Sequence, residues 1–246
     1  MSLMSLVNEP QNPGGWQIAG KTFIWLLIGG ILAFLVFAIM SILGTDFFTK
    51  SEGMFMSLVF IIIACIVTII GVGIYAGLLN LIFGSDYYDF AKMFGFSVLA
   101  NGLLVFLFLP VYLMMSDSLD TLLFVLAFHV MFGFFISYAL IEFTTNPSYS
   151  ASNLIWSVLG FGITLVIYMA IYSSTKGDID WNNTLYLHIL SPFLIAYTVI
   201  PLFHGVWTQI YYGIYTWGSN PLFVPQLADV TQTQEEVDEV TVDIQS

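Results

Sequence analysis

Six apolar runs dominate this 246-residue chain and constrain its fold more than any other feature. Each run reaches at least about 20 residues, the length that an α-helix needs to cross the hydrocarbon core of a bilayer. Inside that core every backbone N–H and C=O has to be hydrogen-bonded within its own segment, which favours helices. The sequence therefore predicts an all-α fold, a polytopic transmembrane helix bundle of about six spans.

The spans divide the chain into a polar N-terminal leader at residues 1–21, a transmembrane domain at 22–217 and an acidic tail at 218–246. The tail carries six acidic residues and no base, which is typical of a solvated, disordered segment. The connecting loops are too short for a folded domain outside the membrane. The six spans are predicted at residues 22–43, 54–83, 91–115, 121–143, 153–172 and 184–217.

The low number of charged residues and the excess of acidic ones limit which partners the chain can bind. Only 8% of the residues are charged, against about 25% in soluble domains, so the expected partner is the lipid bilayer. The chain has 16 acidic residues, four lysines and no arginine. Nucleic-acid binding depends on Lys and Arg that neutralise phosphates, so no nucleic acid is expected.

The lysines do not set the orientation in the membrane. If the N-terminus is cytoplasmic, Lys21 and Lys92 lie on the cytoplasmic side, and Lys50 and Lys176 lie on the other. An even number of spans places both termini on one side. We expect the cytoplasmic side of a plasma (inner) membrane.

Two prolines interrupt the last apolar run. Pro192 and Pro201 each remove a backbone N–H and clash with the preceding turn, so the last span is predicted to be kinked. The alternative is one span followed by a re-entrant helix. Backbone carbonyls freed near His204 and Tyr197 would suit a cation or a small solute, as in the broken helices of transporters; a simple packing kink is the competing interpretation.

Ionisable groups at bilayer depth are candidates for function because their burial in lipid is costly. His129 lies near the middle of the fourth span, and Gly133 and Ser137 follow it on the same helical face, which is predicted to point into the bundle. His129 is interpreted either as a proton-relay or ligand-contact residue, or as a neutral imidazole hydrogen-bonded to a neighbouring helix. Glu142 ends this span and is expected at the interface.

Amides and glycines suggest contacts between helices. Asn101 and Asn80 lie in or near apolar surroundings, and Asn80 shares a face with Gly73 and Gly77. The Gly73-xxx-Gly77 spacing permits close helix approach, and interhelical amide hydrogen bonds stabilise such contacts. These residues are predicted to hold helices together, and Asn101 is also a candidate binding residue.

Signatures of soluble-type enzyme chemistry are absent from the sequence: it contains no HExxH, GxSxG or P-loop motif. The three histidines are far apart, so no metal site and no cofactor is predicted. A haem held between His129 and His204 is the weakest of the interpretations. The chain is expected not to be an enzyme.

Two functional hypotheses remain. The first is a non-enzymatic scaffold, assembly factor or accessory subunit that binds a protein partner or a second copy through small-residue helix faces or the acidic tail. The alternative is a transporter or channel for a neutral or cationic small solute, which would use the proline-broken last span.

Overall fold

The computed structural model describes residues 15–50, 53–83, 90–115, 118–145, 151–175 and 185–216, and these form six α-helices. All six are long and apolar enough to cross a membrane, which confirms the all-α, polytopic fold. The protein is therefore an integral membrane protein. The helices are α1 (Gly15–Lys50), α2 (Gly53–Phe83), α3 (Phe90–Met114), α4 (Leu119–Thr145), α5 (Ala151–Thr175) and α6 (Leu185–Thr216).

The helices match the predicted spans to within three residues, except at the first. Helix α1 begins seven residues before the predicted span and ends seven residues after it, so part of the polar leader is helical. Its 36 residues extend over about 54 Å at 1.5 Å per residue, which is longer than the apolar core of a bilayer. The acidic tail at 218–246 lies outside the described residues.

Helix α6 is one continuous helix that contains both Pro192 and Pro201. The last apolar run is thus a single long helix and not a span followed by a re-entrant segment. Proline is tolerated inside a membrane helix when neighbouring helices satisfy the backbone groups that it leaves unbonded. The kink at these prolines stays a prediction.

Helix α4 is the centre of the bundle. In its membrane-spanning part 72% of the residues are buried, against 22% in α5. It packs against α2, α3, α5 and α6, and Trp25 of α1 reaches its Phe134 ring. Its first turn is capped by Ser118, whose Oγ accepts a hydrogen bond from the Thr121 N–H at 3.2 Å.

The other helices form an arc around α4 in the order α3, α2, α1, α6, α5. Their outward faces expose large apolar side chains. A continuous apolar surface of this kind is unfavourable in water, and contact with lipid explains it. The most exposed of these side chains include Phe34, Ile42, Leu81, Phe106 and Val166.

Candidate functional site

Charged and aromatic side chains from α1, α2, α4 and α6 meet inside the bundle. Contacts join the start of α1 to the end of α4 and to the second half of α6. We call this group the inner cluster. Its members are Lys21, Trp25, Tyr75, Phe134, Tyr138, Glu142, Tyr197 and His204.

An ion pair forms one end of the inner cluster. Lys21 Nζ donates a hydrogen bond to Glu142 Oε1. The Glu142 side chain is 5% exposed and the Lys21 side chain 33% exposed, so the carboxylate is buried while the lysine reaches it from a partly exposed position. A buried carboxylate needs such a partner because desolvating an isolated charge costs several kcal/mol.

The burial of Glu142 adds to the expectation from sequence. Glu142 lies near the end of its span, as predicted, but its side chain is covered by the protein and pairs with Lys21 of α1. The lysine ammonium also lies 5.4 Å from the centroid of the Tyr138 ring, within the range of a cation–π contact.

A hydrogen bond connects Tyr138 to His204. Tyr138 Oη and His204 Nδ1 are 2.9 Å apart, and the two rings are nearly perpendicular at a centroid distance of 5.6 Å. His204 is buried, and its backbone carbonyl accepts a hydrogen bond from Thr208 Oγ1 at 2.7 Å. Tyr138 therefore connects His204 to the ion pair: its hydroxyl contacts the imidazole, and its ring contacts the Lys21 ammonium.

Stacked aromatic rings continue the cluster into the bundle. Trp25 stacks on Tyr75 at a centroid distance of 3.9 Å and makes an edge contact with Tyr138 at 6.1 Å. Tyr197 stacks on Phe134 at 3.8 Å. Trp25 and Tyr197 are fully buried, and neither Trp25 Nε1 nor Tyr197 Oη finds a hydrogen-bond partner among the described residues. Both polar atoms are thus buried without a partner in the described part of the bundle.

Two glycines make room for Tyr197. A Cβ on Gly29 of α1 would lie 2.8 Å from Tyr197 Cβ and 3.1 Å from the Phe193 carbonyl oxygen. A Cβ on Gly71 of α2 would lie 3.1 Å from Tyr197 Oη. Gly29 therefore lets α1 approach α6 closely, because its neighbours are fixed atoms of α6, whereas Gly71 leaves room for the Tyr197 hydroxyl and for the end of the Leu32 side chain.

A second polar group lies between α2, α3 and α4. Asn101 Nδ2 donates to the Ser97 carbonyl oxygen at 2.8 Å and to Ser137 Oγ at 3.2 Å. A Cβ on Gly133 would lie 3.1 Å from Asn101 Oδ1 and 3.2 Å from Thr68 Oγ1. Asn101 thus connects α3 to α4, and Gly133 gives the amide and the threonine the space that they occupy.

His129 lies closer to the N-terminal end of α4 than Gly133 and Ser137 do, and it packs against α3. Its ring stacks on Phe108 at a centroid distance of 4.2 Å, and its Nδ1 is 3.4 Å from Tyr112 Oη. Its Nε2 is buried and has no hydrogen-bond partner within the described part of the chain. His204 binds Tyr138, nine residues along α4 and hence about 14 Å away along the helix axis, so the two histidines do not oppose each other as haem ligands would.

The Gly73–Gly77 pair does not form a close helix contact inside the bundle. A Cβ on Gly73 would meet only the Phe94 ring, at 3.9 Å, and a Cβ on Gly77 would meet no described atom within 4 Å. Asn80, on the same face, is half-buried. On this face Gly77 is exposed and Gly73 lies beside Phe94 of α3, whereas Gly71 is buried against Leu32 and the Tyr197 hydroxyl.

The structure brings two of the four candidate binding residues, Tyr197 and His204, into the inner cluster and places the other two on the α3 side of α4. The sequence did not identify Lys21, Trp25 and Tyr138 as cluster members, and it did not show that Glu142 is buried. One signal was available for the ion pair. In a bundle of alternating spans, the start of the first span and the end of the fourth lie at the same membrane surface, and they carry opposite charges there.

Metal ligation is not supported by the described helices, where no three His, Cys, Asp or Glu side chains form a group that would hold an ion. Comparison with protein-family models, with curated proteins and with solved structures finds no match to this chain. A function therefore has to follow from the chemistry of the side chains.

Proposed function

We propose that this protein is a transporter or channel for a neutral or cationic small solute, and that the inner cluster binds the solute. The observation that carries this proposal is the Lys21–Glu142 ion pair beside the Tyr138–His204 hydrogen bond, inside a membrane bundle. Ionisable groups in this setting mark solute pathways and proton relays in membrane proteins.

Stability alone does not explain the ion pair. Replacing a buried ion pair by apolar side chains of similar volume is often neutral or stabilising. Glu142 is buried, so we expect that an apolar residue there would serve a scaffold at least as well. The retained charges therefore favour a role in binding.

Polar groups continue along α4 beyond the cluster. Glu142, Tyr138, Ser137 and His129 are all buried on this one helix and extend over about 20 Å of its length. Hydroxyl, imidazole and carboxylate groups buried along one helix can bind a polar solute. The acidic balance of the chain, with a net charge of −12, favours a neutral or positively charged solute over an anion.

Flux through reconstituted liposomes tests this proposal. We expect the full-length chain to carry at least one of four probes, namely protons, K⁺, methylammonium or glycerol. Glu142→Gln and His204→Ala should each lower that flux by about tenfold or more, because the first weakens the hydrogen bond to Lys21 and the second removes the one to Tyr138.

The control for this experiment is Val166→Ala, on the lipid-facing side of α5, where the side chain is 70% exposed. It should leave the flux unchanged. The proposal is contradicted if all four probes cross no faster than in empty liposomes, or if neither cluster substitution changes the rate.

A second candidate function, as a scaffold or accessory subunit, has one observation in its favour. Gly77 is exposed, and the space beside it is open among the described residues, so a helix of another chain or of a second copy can approach α2 there. This is the partner interface that the glycine spacing predicts.

Native mass measurement in mild detergent tests this second function. We expect a stable complex or homo-oligomer that dissociates in Gly77→Leu, because the leucine blocks close approach. Gly162→Leu on α5, where the space is also open, is the matched control and should keep the complex. A wild-type particle that is strictly monomeric and without a partner would refute the scaffold function.

A further inference from the structure

We propose that Glu142 and the Tyr138 ring form a binding site for a small primary ammonium ion, and that Lys21 occupies this site as a tethered ligand. The inference rests on the proposed transport function and specifies its solute class. It is carried by the contacts of a single nitrogen atom, Lys21 Nζ, which donates to Glu142 Oε1 and faces the Tyr138 ring at 5.4 Å.

A carboxylate next to an aromatic face is the chemistry that recognises an ammonium ion. The carboxylate accepts a charge-assisted hydrogen bond from N–H, and the electron-rich face of the ring attracts the positive charge. The ring has a fixed position because the Tyr138 hydroxyl is held by His204 at 2.9 Å and its edge contacts Trp25. The site therefore keeps its shape whichever ammonium occupies it.

The two members of the ion pair differ in burial, and this difference makes exchange feasible. Glu142 is 5% exposed, whereas Lys21 is 33% exposed and reaches the carboxylate through a flexible four-carbon stem. Removing the neighbouring ammonium would take a positive charge away from a buried carboxylate, which is unfavourable. An incoming ammonium that replaces Lys21 avoids that cost, so solute entry and lysine departure are one exchange.

Hydrogen-bond donors determine which cations fit. A primary alkylammonium offers the same N–H donors as lysine, so it satisfies both Glu142 and the ring. Tetramethylammonium has the same charge and cation–π capacity but no N–H, so it loses the hydrogen bond to the carboxylate. The site should therefore distinguish primary from quaternary ammonium ions.

Thermal unfolding of the purified full-length protein in detergent tests this inference. Lys21→Ala removes the three terminal methylenes and the ammonium, which are the atoms that n-propylammonium supplies. We expect Lys21→Ala to lower Tm, and millimolar n-propylammonium chloride to restore at least about half of the loss along a saturating curve. The wild-type protein should shift less, because its own lysine competes for the site.

Two controls make the result specific. Lys21→Ala/Glu142→Gln should show no shift with n-propylammonium, and tetramethylammonium chloride at the same ionic strength should not restore Lys21→Ala. If Lys21→Ala does not fold, Lys21→Met with methylammonium carries the same test, since methionine keeps the apolar stem and removes the charge.

The inference is overturned if the double variant responds as strongly as the single one, or if the quaternary ion is as effective as the primary one. The readout is binding and not flux, so the two proposals fail separately. Specific stabilisation without flux would keep this site and refute transport. Flux of another probe without ammonium-dependent stabilisation would keep the transport function and refute the ammonium site.

Discussion

Tyr197→Ala is expected to lower the free energy of unfolding by about 3–5 kcal/mol, the range for removing a large aromatic side chain from a packed core. Tyr197 is fully buried and lies at the junction of four helices. Its ring stacks on Phe134 of α4, and Gly29 of α1 and Gly71 of α2 enclose it. Helices held at glycine contacts have little freedom to move inward, so the cavity should stay largely open.

Tyr197→Phe is the matched control, and equilibrium unfolding in mixed micelles of SDS and a mild detergent is the measurement. The ring is kept, and the hydroxyl that is lost has no hydrogen-bond partner within the described residues. Leaving a buried polar group unsatisfied is costly, so its removal should be neutral or should stabilise the protein by about 1 kcal/mol. If the alanine variant lost less than about 1 kcal/mol, the central packing role of Tyr197 would be wrong.

The second large effect is expected at Gly29, where alanine should destabilise the bundle by about 1–3 kcal/mol, as overpacking of a tight contact does. The added methyl would lie 2.8 Å from Tyr197 Cβ and 3.1 Å from the Phe193 carbonyl oxygen. Neither atom can rotate away, because one is fixed to the backbone and the other belongs to it. Helices α1 and α6 would have to separate.

The adjacent residue provides the control for this prediction. A Cβ on Gly30 would meet no described atom within 4 Å, and alanine favours a helix over glycine by about 1 kcal/mol. Gly30→Ala should therefore be neutral or slightly stabilising in the same unfolding assay. Equal stability of the two alanine variants would show that α1 and α6 do not approach each other as closely as the structure indicates.

The spans were predictable from the sequence because lipid imposes a strict rule. A segment that crosses the bilayer has to be apolar and about 20 residues long, and its backbone has to be bonded within the segment. The polar residues on either side of a span do not have to be apolar, so this requirement does not locate the ends of the helix. The seven residues of α1 on either side of its predicted span are helical although they are less apolar, so hydrophobicity could not locate the true ends.

The inner cluster was only partly predictable. His204 and Tyr197 stood out as polar groups inside an apolar run. Lys21 and Glu142 each lie near the end of a run, where the local sequence cannot distinguish an interfacial charge from a buried one. What buries Glu142 is a contact with a residue 121 positions away, and that contact depends on how α1 packs against α4.

The spacing of glycines in the sequence likewise does not determine which helices meet at them. Successive helix residues are rotated by about 100°, so Gly71 and Gly73 face nearly opposite sides of α2. The Gly73–Gly77 spacing predicts a surface that a helix can approach closely, and it does not say whether that helix belongs to the same chain. Gly71, which has no partner glycine at that spacing, makes the contact with Tyr197.

The extensive packing of α1 against α6 has a consequence for biogenesis. The surface of α1 that α6 covers stays open until α6 is present, and Lys21 cannot pair with Glu142 before α4 is present. A chain cut before α6 is therefore expected to expose an open groove between its helices, a surface that favours misassembly.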